Sequence, residues 1–180
     1  VDQQSALINH YDGSKYPFYI QIEPKNSSNN NGKLSIGNKF DGSGHFITAQ
    51  EVSVTLNDGN WHNIVLVNNT SDNTQKVFIN GNSTPQITNT LDTGTQNAKA
   101  ISVGEYTTDS NYYYDGDMDQ IRLFSAALTT SQIAQLYNEQ ACVHTATTTD
   151  NNYPVANTMY YKLDNNAIDE TGTSTATEQE

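Results

Sequence analysis

Leu56-Asn57-Asp58-Gly59-Asn60-Trp61-His62-Asn63-Ile64-Val65-Leu66-Val67 decides the fold. Asn57 to Asn60 is a turn signal, because Asn, Asp and Gly tolerate or favour the backbone angles a tight reversal needs. Trp61 to Val67 then reads as a strand rich in apolar and β-branched residues. Just upstream, Val52-Ser53-Val54-Thr55-Leu56 alternates apolar and polar, the mark of a half-buried strand. Just downstream, Lys76 to Ile79 is a second apolar strand, closed by Asn80-Gly81, a type I′ turn signal. These two apolar strands are expected to be central in their sheet.

Further out the same texture recurs. Phe18 to Ile22, Lys33 to Ile36, His45 to Thr48, Ala100 to Gly104 and Met118 to Phe124 all read as short strands separated by turns. Thr129 and Gln132 form a capping box, with Leu128 and Ile133 placed as a hydrophobic staple. Ile133, Leu136 and Tyr137 share one face, which predicts a single helix over about residues 129–140. The fold class is therefore all-β: an antiparallel sandwich or jelly roll with one short C-terminal helix.

Composition agrees. The chain has 180 residues, 34% hydrophobic and only 16% charged, with 23 Asn and 22 Thr. Thr favours strands and Asn favours turns, whereas a helical bundle would need more Leu, Lys and Glu. Eight basic residues against twenty acidic ones give a net charge of −12. That leaves almost nothing from which to build a phosphate-binding patch, so nucleic acid is not an expected partner. Attraction to anionic lipid is disfavoured for the same reason. No apolar run is long enough for a membrane-spanning helix, so no membrane insertion is expected. The single cysteine, Cys142, rules out an intrachain disulfide and a Cys-rich zinc site. The sequence opens without Met or a signal peptide, as expected of a processed chain or a fragment.

Four segments together resemble one family. Leu56 to Val67 is similar to the central turn and Trp-His strand of laminin-G-like domains. Val77-Phe78-Ile79-Asn80-Gly81 resembles the next strand. Tyr114-Asp115-Gly116-Asp117-Met118-Asp119-Gln120-Ile121-Arg122-Leu123-Phe124 resembles the strand that precedes the closing helix. Ala126-Ala127-Leu128 through Tyr137 resembles that helix. The resemblance implies a concanavalin A-like lectin/glucanase fold, a two-sheet antiparallel jelly-roll sandwich, most often a carbohydrate-binding or adhesive module. One element is out of place. Tyr160 to Gly172 resembles the family's opening stretch, yet it lies near the end of this sequence. The domain reading is accordingly residues 1–140 as a jelly roll lacking its usual opening strand, 141–157 as a Thr/Asn-rich linker, and 158–180 as a further segment. That last segment either opens a second copy or supplies a strand that completes this domain or a neighbouring one. Met159, Tyr160, Tyr161 and Leu163 would form the assembly strand, with copies of the same chain as partners through 158–164.

Candidate chemistry is of the binding kind. A glycosidase needs two opposed carboxylates, and the Glu-x-Asp-x-x-Glu pattern of related glucanases is missing, so the chain is expected not to be an enzyme. No His pair has zinc-site spacing, and no Gly-x-Ser-x-Gly elbow is present. Asp115, Asp117 and Asp119 alternate and would share a strand face if the strand began that early. Asp119 fits a structural role, and Asp115 and Asp117 are the candidates for calcium. The chain has eleven tyrosines. Tyr112 and Tyr113, flanked by Asn111, and Tyr11, flanked by Asp12, form two aromatic loops. Such rings stack on sugar faces while Asn and Asp bind hydroxyls; the alternative is that they pack within the sandwich. Of the triple Tyr112-Tyr113-Tyr114, Tyr114 is expected inside. Asn-x-Ser/Thr sequons occur at Asn26, Asn68, Asn69 and Asn82, and are common by chance in so Asn-rich a chain. The expected function is a non-catalytic module on an extracellular, cell or virion surface that recognises a glycan or polysaccharide. The alternative is a structural subunit of a virion, fibre or extracellular filament assembled by strand exchange.

Overall fold

The computed structural model describes residues 5–10, 16–22, 33–39, 52, 54–92, 101–105, 113–139 and 159–161. In chain order the elements are β1 (Ser5–His10), β2 (Tyr16–Ile22), β3 (Leu34–Lys39), β4 (Ile64–Asn69), β5 (Thr74–Ile79), β6 (Ile87–Thr90), β7 (Ser102–Val103), β8 (Ile121–Leu123), α1 (Thr130–Tyr137) and β9 (Met159–Tyr161). Strands β3-β2-β1-β7 form one sheet, β4-β5-β6 a second, and β8-β9 a two-stranded pair. Among the described strands every pairing is antiparallel. This is the all-β jelly-roll sandwich with one short helix that the sequence implies.

The chain divides into two compact units. The first comprises Val1–Ile79 and Pro85–Asp115, and the second Asn80–Thr84 and Gly116–Glu180. The first unit contains both larger sheets and the core between them. Ile20, Leu34 and Ile36 come from the four-stranded sheet, Val77, Ile79 and Ile87 from the three-stranded one, and Leu56 from the segment leading into β4. Each such side chain contributes about 1.5–3 kcal/mol when taken out of water.

The other face of the four-stranded sheet is buried too, but it is polar. The register lines up Ser102 with Asn9, Asn9 with Tyr19, and Tyr19 with Gly37 across all four strands. Gln21 and Ser35 form the next pair. All of these side chains are buried, and buried polar atoms require partners. Asn9 Nδ2 donates to the Glu105 carbonyl at 2.6 Å. The β2–β3 register shifts between Tyr16 and Tyr19, a stretch that includes Pro17, which has no N–H to give a ladder.

Several sequence expectations are corrected. Residues 52 and 54–56 are not a strand. Val52 and Val54 pack half-buried on the core and Leu56 is buried, so their alternation reports a buried side without a pairing edge. The apolar strand begins at Ile64, not Trp61, and among the described strands it lies at a sheet edge, with β5 alone central. The strand expected over Met118 to Phe124 shrinks to Ile121–Leu123. The helix ends at Tyr137 with Asn138 as its C-cap, short of residue 140. Strands β1 and β6 carry too little apolar alternation to be read from sequence, since β6 is Ile-Thr-Asn-Thr. His45 to Thr48 lies outside the described residues.

Other local signals hold. Asn80 and Gly81 have φ of 52° and 68°, as a type I′ turn requires. The capping box is complete, with Gln132 N–H donating to Thr129 Oγ1 at 3.3 Å and Thr129 N–H to Gln132 Oε1 at 2.9 Å.

Candidate functional site

The turn ahead of β4 is built by one carboxylate. Asp58 Oδ1 accepts the Asn60 N–H at 2.9 Å and lies 3.0 Å from His62 Nε2. Gly59, between them, has φ of 83°, a region open to glycine at no steric cost. Hydrogen bonds from the Asn60 side chain and backbone, and then from His62, pull the Asp58 carboxyl from its ordinary 3.8 down to about 2. The turn is therefore clasped at Asn60 and His62, and Trp61 stands between those two anchors. Trp61 is 69% exposed. A tryptophan is normally among the most buried side chains on average, so a fixed loop that presents its ring to solvent offers a flat apolar surface ready for a ligand.

The pH consequence has a definite sign. A carboxyl whose folded pKa is depressed favours the folded loop above its unfolded value and loses that contribution as pH falls through the folded value. The Trp61 loop is thus expected to loosen between pH 3.8 and about 2. Fluorescence anisotropy of Trp61, the one tryptophan in the chain, reads this directly. The transition should be centred near pH 2 and vanish in Asp58→Asn. A midpoint at the ordinary carboxylate value would show that the clasp is not formed.

A second aromatic lies in the same unit, on another loop. Tyr113 is 57% exposed, and its neighbour Tyr114 is half-buried. The Tyr114 N–H donates to the Gly104 carbonyl at 2.8 Å, and the Gly104 N–H to the Leu7 carbonyl at 3.0 Å. The backbone carrying Tyr113 is thereby fastened next to β7 and β1. Asn111, Tyr112, Tyr11 and Asp12 lie outside the described residues.

Asp115, Asp117 and Asp119 do not share a strand face, because β8 begins only at Ile121. All three are exposed. Among the described residues no group of three or more His, Cys, Asp or Glu side chains converges as a metal site. Asp115 and Asp117 are surface carboxylates in irregular chain. The backbones of Met159, Tyr160 and Tyr161 pair with β8, while Leu163 lies outside the described residues. Trp61 is the residue that sequence reasoning passed over. An apolar residue at the head of an apolar strand reads as core, and only the start of the ladder at Ile64 shows that it precedes the strand.

A family model for laminin G domains of the concanavalin A-like lectin/glucanase superfamily matches residues 2–134. The chain belongs to this family. Among solved structures it is similar to a candidate carbohydrate-binding protein from Bacteroides ovatus, with a TM-score of 0.61 and 14% identity. That alignment covers 94% of this chain and 49% of the other, so the chain spans about half the length of that protein. At such identity the likeness shows a shared fold alone. An S-layer domain-containing protein from Clostridium thermocellum also matches, at 19% identity over 76% of this chain and 64% of the other. Its TM-score of 0.33 carries no argument. No curated protein matches the chain at a significant level. In this chain of the family the His62 imidazole lies against Asp58, and the indole of Trp61 is turned to solvent. Among the described residues no helix is long and apolar enough to cross a membrane.

Proposed function

We propose that this chain is a non-catalytic glycan-binding module of an extracellular or cell-surface protein, and that Trp61 is its sugar-stacking residue. The observation that carries the reading is the 69% exposure of Trp61 on a turn clasped by Asp58. The apolar faces of a pyranose ring pack on a flat aromatic surface, and the ring's hydroxyls need polar partners at the edge. Asp58 and Asn60 stand on the same turn to provide them. Tyr113, on another loop of the same unit, is a second exposed ring. Two further facts support the reading: the superfamily includes lectins, and the similar Bacteroides ovatus protein is a candidate carbohydrate binder.

Affinity electrophoresis through gels containing laminarin, xylan, galactan or mannan, with and without calcium, is the first test. At least one polysaccharide should retard the chain. Trp61→Ala should weaken that binding by about 2 kcal/mol, the scale of an aromatic hot spot, or roughly thirtyfold in Kd. Tyr113→Ala should have a smaller effect, about fivefold. A calcium requirement lost in Asp115→Asn or Asp117→Asn would give those carboxylates a ligand role. Hydrolysis of any of these polysaccharides, abolished by a single Asp or Glu substitution, would overturn the non-catalytic reading.

A further inference from the structure

Strand β8 pairs with β9 in a three-residue register: Ile121 with Tyr161, Arg122 with Tyr160, and Leu123 with Met159. β9 lies beyond residues 2–134, the stretch that the family model matches. We propose that β9 is an exchangeable strand and that the edge of β8 is the docking site for the same strand of a second copy of this chain.

Three observations carry the proposal. The first is that β8 is anchored independently of β9. Arg122 Nη1 lies 2.6 Å from Glu139 Oε2, just past the end of α1, and Arg122 Nη2 donates to Gln120 Oε1 at 2.7 Å. An edge held from the helix side is already arranged to accept a strand from either source. The second is reach. Residues 140–158 join α1 to β9, and a chain of that length can span on the order of 60 Å when extended. It can return to its own β8 or cross to that of a neighbour. The third is chemistry. Met159-Tyr160-Tyr161 carries no charge and no proline, the features that usually block edge pairing. The ladder bonds are the same whether the strand comes from its own chain or from a copy, so exchange needs no new contact. The occupant is a second copy because each chain carries both the donor and the edge it fits.

The balance follows from effective concentration. A tether of this kind holds its strand at roughly millimolar effective concentration, so dilute protein is closed on itself. Exchange grows as protein approaches that concentration, or as copies are crowded side by side on a surface.

The test uses the full chain with Cys142→Ser and a cysteine pair at directly opposed positions, Leu123→Cys with Met159→Cys. Opposed residues of an antiparallel pair lie within disulfide range. Oxidised while dilute, the chain is locked on itself and should remain monomeric by sedimentation velocity up to about millimolar. Reduced, it should form dimers that increase with concentration. Oxidation of that concentrated sample should convert the dimers into covalent ones on a non-reducing gel. A reduced chain that stays monomeric throughout would overturn the proposal. So would dimers that form equally well in the locked chain. The reduced variant is its own control for folding, and the unsubstituted chain should dimerise as the reduced variant does. This inference is independent of glycan binding.

Discussion

Glu139→Ala is expected to destabilise the unit formed by β8 and α1 by about 3–5 kcal/mol, the cost of breaking a buried ion pair from one side. The side chains of Arg122 and Glu139 are only 9% and 8% exposed and lie 2.6 Å apart. Arg122 cannot shed its charge. Removing Glu139 takes away the carboxylate that lies against this desolvated guanidinium, which also donates to the side-chain oxygen of Gln120. The carboxylate also sits just beyond Asn138, the C-cap of α1, where the helix dipole disfavours a negative charge. Arg122 offsets that repulsion, so the pair ties the helix end to the strand. Replacing both partners at once, Arg122→Met with Glu139→Leu, should recover most of the loss, because two apolar side chains of similar volume leave no orphaned charge. Hydrogen exchange at α1 and β8 amides measures the effect. Wild-type protection in Glu139→Ala would show that the pair does not hold this unit. The same variant bears on strand exchange, since a loosened β8 is a poorer acceptor.

Gly37→Ala is expected to cost about 3 kcal/mol in the first unit, at the upper end of what overpacking a core does. Gly37 lies opposite Tyr19 in the β2–β3 register, and the tyrosine ring crosses directly over it. A Cβ at Gly37 would fall 1.6 Å from Tyr19 Cε1 and 2.0 Å from Cδ1. No small shift relieves such an overlap, so the ring would have to leave a position where it is only 2% exposed. Tyrosine laid across a strand glycine covers the backbone that the missing side chain would expose. Urea unfolding followed by near-ultraviolet circular dichroism gives the loss. In a Tyr19→Ala background the same substitution should cost little, since the two effects share one contact. An unchanged midpoint for Gly37→Ala alone would mean that the ring does not sit there.

Legibility differed between fold and site for physical reasons. Local chemistry that acts within a few residues could be read directly. The Asn80-Gly81 turn and the Thr129–Gln132 capping box need only their own side chains and backbone, and both are present. The family resemblance rested on such local segments. Pairing was less legible. The run from Val52 to Leu56 alternates well, yet its described residues, 52 and 54–56, carry no ladder, while Ile87–Thr90 has a ladder with one apolar residue. Alternation records which side is buried, whereas pairing depends on which strand edge is nearby. Exposure was the least legible. Trp61 and Ile64 stand three residues apart in one apolar-looking run, and only the ladder's starting point separates a solvent-facing ring from a sheet residue. The polar row of Asn9, Tyr19 and Ser102 was invisible for a related reason, because it exists only once three distant segments are in register.

The most direct measurement is the emission of Trp61 during titration with whichever of laminarin, xylan, galactan or mannan retards the chain most. The protein has one tryptophan, so excitation beyond the tyrosine absorption band reports this residue alone. Before addition, emission should resemble tryptophan in water, and acrylamide should quench it readily. A sugar ring stacked on the indole removes water from one face. Emission should therefore shift to the blue and quenching should fall, saturating with the same Kd that electrophoresis gives. If the polysaccharide binds while emission and quenching stay unchanged, Trp61 is not the stacking residue. If none of the four retards the chain, the glycan-binding reading is contradicted.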